Sequence, residues 1–142
     1  MVQVAIALAV VAVAAAVAFA ARRRMRPEAP TQPRSFTAPT QLDRADFAEA
    51  ATPWLVVVFT SSTCDACALV SAKAEALASP EVAVQVVAYP EQRPLHDRYR
   101  IEAVPTLVLA DRAGVVRYHH LGPITATDLW ADVAKAREQT SN

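Results

Sequence analysis

The apolar positions of this chain fall into blocks with different periods. Trp54 to Thr60, WLVVVFT, and Val82 to Tyr89, VAVQVVAY, are runs of β-branched and aromatic residues with almost no polar alternation. That is the pattern of strands buried on both faces. Thr106 to Leu109 repeats it at shorter length, and Val115 to Leu121 follows across the turn Asp111-Arg112-Ala113-Gly114, which makes the last two a hairpin. Helix-forming stretches lie between the strands. The first covers about 41 to 51, opened by the capping-box-like Thr40-Gln41-Leu42-Asp43 and ended by Pro53, with Leu42, Phe47 and Ala50 or Ala51 at near-helical spacing. Cys64 to Ala78 forms the second, with the turn and N-cap types Ser61, Ser62 and Thr63 ahead of it and Ser79-Pro80 behind. Pro94 to Arg100 adds a short helical turn, and Thr125 to about Glu138 a last helix with Leu129, Trp130 and Val133 facing inward. Strands alternating with helices and closed by an antiparallel hairpin imply an α/β fold, a mixed central sheet with helices on both faces.

One apolar block differs in kind. Val2 to Ala21 is 20 residues without a charge, and at about 1.5 Å per residue such a helix matches the roughly 30 Å hydrocarbon core of a bilayer. A transmembrane helix is expected over 1–21. Ten of the 20 are alanine, so insertion rests on the Val, Ile, Leu and Phe residues and is favourable by about 3 to 5 kcal/mol. Ala18-Phe19-Ala20 fits a signal-peptide cleavage site, but a cleaved signal carries its positive charge ahead of the apolar run. Here Arg22, Arg23, Arg24 and Arg26 follow it. That order favours an uncleaved single-pass anchor in the plasma membrane with the rest of the chain cytoplasmic, an extracytoplasmic domain being the alternative. Pro27, Pro30, Pro33 and Pro39 make 22–40 a basic, Pro-rich linker, and 41–142 is left for one domain.

Charge and glycine content narrow the function. Acidic and basic residues balance at 14 each, yet from Ser35 onward 9 basic residues face 13 acidic ones. A domain of that sign has no footprint for nucleic acid. Two glycines in the whole chain leave no Gly-rich phosphate loop, so no flavin or nicotinamide cofactor is expected.

The chemistry concentrates in SSTCDACALV, Ser61 to Val70, which holds the two cysteines, Cys64 and Cys67. At a helix amino terminus a thiol meets unpaired N–H groups and a partial positive charge that stabilise its thiolate. A second thiol one turn further in can attack the mixed disulfide that the first one forms. On this reading Cys64 attacks, Cys67 resolves, and the pair itself is the redox group. Metal binding is a rival: His119 and His120 would complete four ligands, but neighbouring residues on a strand point to opposite faces, so no metal is expected. An interaction module with incidental thiols is a third reading. His96, among Arg93, Asp97 and Arg98, reads as part of a solvated helical face, and Trp54 and Trp130 as core and surface-cover residues.

The chain resembles the thioredoxin-like family over about Leu42 to Glu138. The resemblance is carried by the buried strand leading into CDAC and by YRIEAVPTLVLADRAGVV, Tyr99 to Val116. It implies a cis proline at Pro105 beside the cysteine pair, with Val104 and Pro105 positioning an extended protein substrate, and a glycine at Gly122 after the last strand. It also implies a thiol–disulfide oxidoreductase whose partners are a protein thiol or disulfide substrate and an upstream thiol electron donor. Thr63 departs from the family's commonest motif, which has tryptophan there, and Asp65-Ala66 replaces Gly-Pro. Val58 stands six positions before Cys64, where many members keep a buried aspartate for proton transfer. Thr63, Asp65 and Ala66 therefore set the thiolate's surroundings, and a carboxylate at Asp65 pushes the couple toward a reductant.

Overall fold

Eight consecutive strand-forming residues, Trp54–Ser61, make β1, the strand around which the described residues, 36–140 of this computed structural model, are arranged. The transmembrane helix expected over 1–21, and all of the 22–40 linker but its last five residues, lie outside that range. Among the described residues no helix is long and apolar enough to cross a membrane.

The remaining elements follow as α1 (Cys67–Glu75), β2 (Val82–Tyr89), α2 (Arg93–Arg98), β3 (Thr106–Ala110), β4 (Val116–Leu121) and α3 (Ala126–Thr140). The sheet order is β2-β1-β3-β4. β1 pairs parallel with β2 and antiparallel with β3, which pairs antiparallel with β4. This is the mixed sheet that the alternation of elements implies.

The absence of polar alternation in β1 has a direct cause. Trp54, Val56 and Val58 face one core, shared with Val70 and Ala74 of α1 and Leu129, Val133 and Ala136 of α3. Leu55, Val57 and Phe59 face the other, shared with Leu42, Phe47 and, from α2 and beyond, Leu95, Tyr99 and Ile101. Each such side chain removed from water contributes roughly 1.5–3 kcal/mol. β4 is an edge strand with one solvated face, and it alternates accordingly. Its phase is reset by an irregularity between Leu109 and Ala110, where Ala110 opposes Val116 but Leu109 opposes Tyr118.

Three expectations are corrected here. The helix over 41–51 does not form: a single 3-10 turn, Arg44–Asp46, is capped by Asp43, and Phe47 is already extended. The chain instead wraps a buried guanidinium. Arg44, 8 % exposed, donates from Nη1 to Asp111 O at 2.9 Å and from Nη2 to Glu49 O, Thr52 O and Thr52 Oγ1 at 3.3, 3.1 and 3.0 Å. Burial pulls its pKa below the ordinary arginine value, against the opposing pull of Asp111. Trp130 does not face inward but is 54 % exposed. Leu129, Val133 and Ala136 already form the inward stripe of α3, and a residue next to that stripe is turned about 100° away. Third, His96 is buried and not part of a solvated face.

The β3–β4 turn is organised by Asp111. Its Oδ1 accepts from Ala113 N and Val115 N, and its Oδ2 from Arg117. Gly114 has φ +80°, and a Cβ there would lie 2.0 Å from Leu42 O. Leu42 N donates to Gly114 O and Val116 N to Thr40 O, so the incoming chain is laid along this turn.

The same incoming segment is locked to α2 by Tyr99. Its hydroxyl accepts from Asp43 N and donates to Asp46 Oδ2, while Arg98 pairs with both carboxylates. Burial, with the bond to Asp46, holds the phenol above the usual tyrosine pKa. A raised folded-state value means that the stabilisation is complete below the unfolded pKa of about 10 and is lost as pH rises through the folded one. Tyr99→Phe should therefore cost about 1 kcal/mol at neutral pH and flatten the loss of stability above about pH 10. Urea midpoints of both proteins across that range check this.

Candidate active site

β1 delivers its last residue, Ser61, to the turn that carries the cysteines. Cys64 N donates to Ser61 O at 3.1 Å and Cys67 N to Cys64 O at 3.3 Å. These are i to i+3 turn bonds, so α1 begins at Cys67 and not at the expected Cys64. Ala66 occupies the N-cap without a side-chain bond. The hydroxyls that read as caps tie the loop together instead: Ser61 Oγ lies 3.1 Å from Thr63 Oγ1 and accepts from Thr63 N.

The two sulfurs form a disulfide, Cys64 to Cys67, with Cα atoms 5.5 Å apart. Cys64 is half-buried and Cys67 is 4 % exposed. Cys64 is therefore the more open of the two to an incoming sulfur, and Cys67, the first residue of α1, is buried. Thr63 and Asp65 are exposed and Ala66 is half-buried. Asp65 thus sets a carboxylate on the open side of the loop.

The register brings the second half of the site. Phe59 opposes Thr106 at the end of the β1–β3 ladder, and beyond it Ser61 and Val104 line one cavity. The Val104–Pro105 peptide is cis. Pro105 is buried and Val104 half-buried. Thr106 Oγ1 donates to Ala103 O at 2.7 Å, and Gly122 N donates to Pro105 O at 2.8 Å, so the loop is held from both sides. Gly122, φ +92°, adopts a conformation that favours glycine. A second cis peptide, Tyr89–Pro90, follows β2.

Val58 is fully buried in the α1-side core, an apolar side chain at the position where the family resemblance implies a proton-transferring carboxylate. Among the described residues no group of three or more His, Cys, Asp and Glu is placed to hold a metal. His119 is exposed, while His120 turns to α3 and bonds Asp132 at 2.6 Å.

His96 corrects the solvated-face reading: it is 5 % exposed. Its Nε2 lies 3.0 Å from Val87 O, and its ring packs edge-on to Phe59 and Tyr89. The charged neighbours Arg93, Asp97 and Arg98 hid this in the sequence. The spacing of His96 and Tyr99, three apart on one helical face, is the signal that could have found it. A cavity of about 250 Å³ opens beside it, reaching Ser61, Tyr89 and Val104. No sequence pattern pointed to that cavity, because its walls come from four separate segments.

Comparison with known proteins agrees with this geometry. The family model described as a thioredoxin-like domain matches residues 40–137. No curated protein matches the chain. Among solved structures, a malarial protein is 18 % identical with a TM-score of 0.54, covering 59 % of this chain and 97 % of its own. Thioredoxin O2 from Arabidopsis thaliana, in its oxidised state, is 23 % identical with a TM-score of 0.53, covering 66 % of this chain and 88 % of its own. At such identities these two likenesses show the fold. A fold of this kind, with a Cys64–Cys67 pair at the head of a helix, supports a thiol–disulfide oxidoreductase.

Proposed function

The chain belongs to the thioredoxin-like family, and from that membership we propose that it is a membrane-tethered thiol–disulfide oxidoreductase that works as a reductant of a protein partner. The observation that carries this reading is the disulfide itself, joining an accessible Cys64 to a shielded Cys67 at the start of α1.

In the reduced protein the Cys64 thiolate attacks one sulfur of the partner's disulfide. A Cys64–partner bond forms, the partner's S–S bond breaks, and its other sulfur leaves as a thiolate. Cys67, as thiolate, then attacks Cys64 Sγ, which closes the Cys64–Cys67 bond and expels the partner's second sulfur. The partner gains two electrons and, with two protons, becomes a dithiol. Val104 and Pro105 position the extended partner segment beside Cys64. An upstream thiol donor returns the pair to the reduced state by the same exchange in reverse. The two sulfurs are the whole redox equipment in this scheme, with no organic cofactor and no metal.

The reducing direction rests on charge. Asp65 follows the attacking cysteine in the chain and is exposed; a carboxylate near the sulfur raises the energy of the thiolate, which favours the disulfide and lowers the reduction potential. With Val58 in place of a carboxylate, deprotonation of Cys67 falls to water, which slows resolution by up to the roughly 10² to 10⁴ that general-base assistance supplies. A slow resolving step suits a narrow partner. The anchor over 1–21 and the cytoplasmic side of the domain complete the proposal, supported by the 20 uncharged residues and the arginines that follow them.

Three measurements test this reading. Cys67→Ser should accumulate a mixed disulfide with the partner through Cys64, and Cys64→Ser should not; non-reducing gels decide, and equal yields from both variants would sink the assigned roles. The potential of the pair, equilibrated against glutathione, should lie below about −180 mV, and Asp65→His should raise it by tens of millivolts. Finally, a reporter fused after Asn142 should be active on the cytoplasmic side; activity only outside the cell would reverse the orientation.

A further inference from the structure

The cavity walled by Ser61 and Val104 contains residues that the exchange step leaves unused. At about 250 Å³ it is smaller than the roughly 300–1,000 Å³ pockets that take whole small molecules. It has room for one long side chain. It also opens where a partner segment would lie, since Ser61 and Val104 belong to its wall and Ser61 O accepts the Cys64 amide.

The lining has a definite chemistry. Ile101 and Val104 offer apolar surface, and Tyr89, 39 % exposed, offers an aromatic ring. His96 closes the base, fixed by its bond to Val87 O. The charged members are both acidic, Asp97 and Glu102. Asp97 shares its charge with Arg93 at 3.3 Å. Glu102 is exposed and makes no ion pair among the described residues.

We propose that this cavity seats a basic side chain next to the partner's target cysteine, so that the protein prefers disulfides flanked by arginine or lysine. The methylene stem of such a residue packs along Ile101 and Val104. Its cationic head meets the Tyr89 ring and the carboxylates of Glu102 and Asp97. An acidic side chain entering the same space meets like charge. The excess of acidic over basic residues from Ser35 onward adds a long-range pull of the same sign on a basic partner.

The proposal rests on the thiol–disulfide reading above, and its test separates the two. The full chain in detergent, reduced beforehand, is mixed with three disulfide-linked peptides that differ only at the residues flanking cysteine: Arg, Leu or Glu. Initial rates of peptide reduction should favour Arg over Leu by about fivefold, the scale of one half-exposed ion pair with a ring contact. Glu should be the slowest. The Arg advantage should shrink in about 0.5 M salt, and Glu102→Gln should bring the Arg-to-Leu ratio to within about twofold. Equal rates for the three peptides, or an unchanged ratio in Glu102→Gln, overturn the pocket's role while the exchange reading stands. Reduction of none of them overturns the exchange reading and the proposal with it.

Discussion

The constraint on which the rest depends is that β1 is buried on both faces and paired on both edges. Leu55 to Phe59 are fully shielded from water, so each residue has one permitted side, and a shift of one position would turn every side chain into the wrong core. The strand cannot slide, and its end is therefore a fixed point. The cysteine turn is built on that point, through Cys64 N to Ser61 O.

The opposing loop is fixed by the same strand. Phe59 opposite Thr106 sets the start of β3, and the cis Val104–Pro105 peptide lies just before it. Gly122, at the end of β4, then ties back to Pro105 O. Three segments distant in sequence are brought together at one end of the sheet because they are the ends of three neighbouring strands. In the proposed exchange, carrying the redox pair at the end of a rigid strand would keep Cys64 in register with the Val104–Pro105 backbone while sulfur bonds form and break.

Much of this was legible in the residues themselves. WLVVVFT and VAVQVVAY both read as doubly buried strands because the β-branched run is unbroken in the first and interrupted by a single glutamine, Gln85, in the second; the reading holds in full for β1, whereas β2 is an edge strand in which only Val82, Ala83 and Val87 are buried and Gln85 accepts from Ala48 N. Tyr99 and Val104-Pro105-Thr106 read as a signature through family resemblance. Local patterns misled wherever the deciding partner was remote. Thr40 to Ala51 has helical spacing, yet the Arg44 guanidinium draws in carbonyls from Glu49, Thr52 and Asp111, the last 67 residues away. His96 sits among charges and is nonetheless buried, because Val87 O and the Phe59 ring lie above that face of α2.

The sequence by itself determined the order of elements from β1 onward, the double burial of β1 and the presence of a cysteine pair at the mouth of a helix, since hydrophobic period and local turn chemistry are properties of short segments. Tertiary structure alone decided that the helix starts at Cys67, that Cys67 is shielded while Cys64 is reachable, and that Glu102, Tyr89 and His96 share a cavity with Ser61 and Val104. These depend on which strand ends meet. Such meetings are set by pairing between residues tens of positions apart, and no local pattern records them.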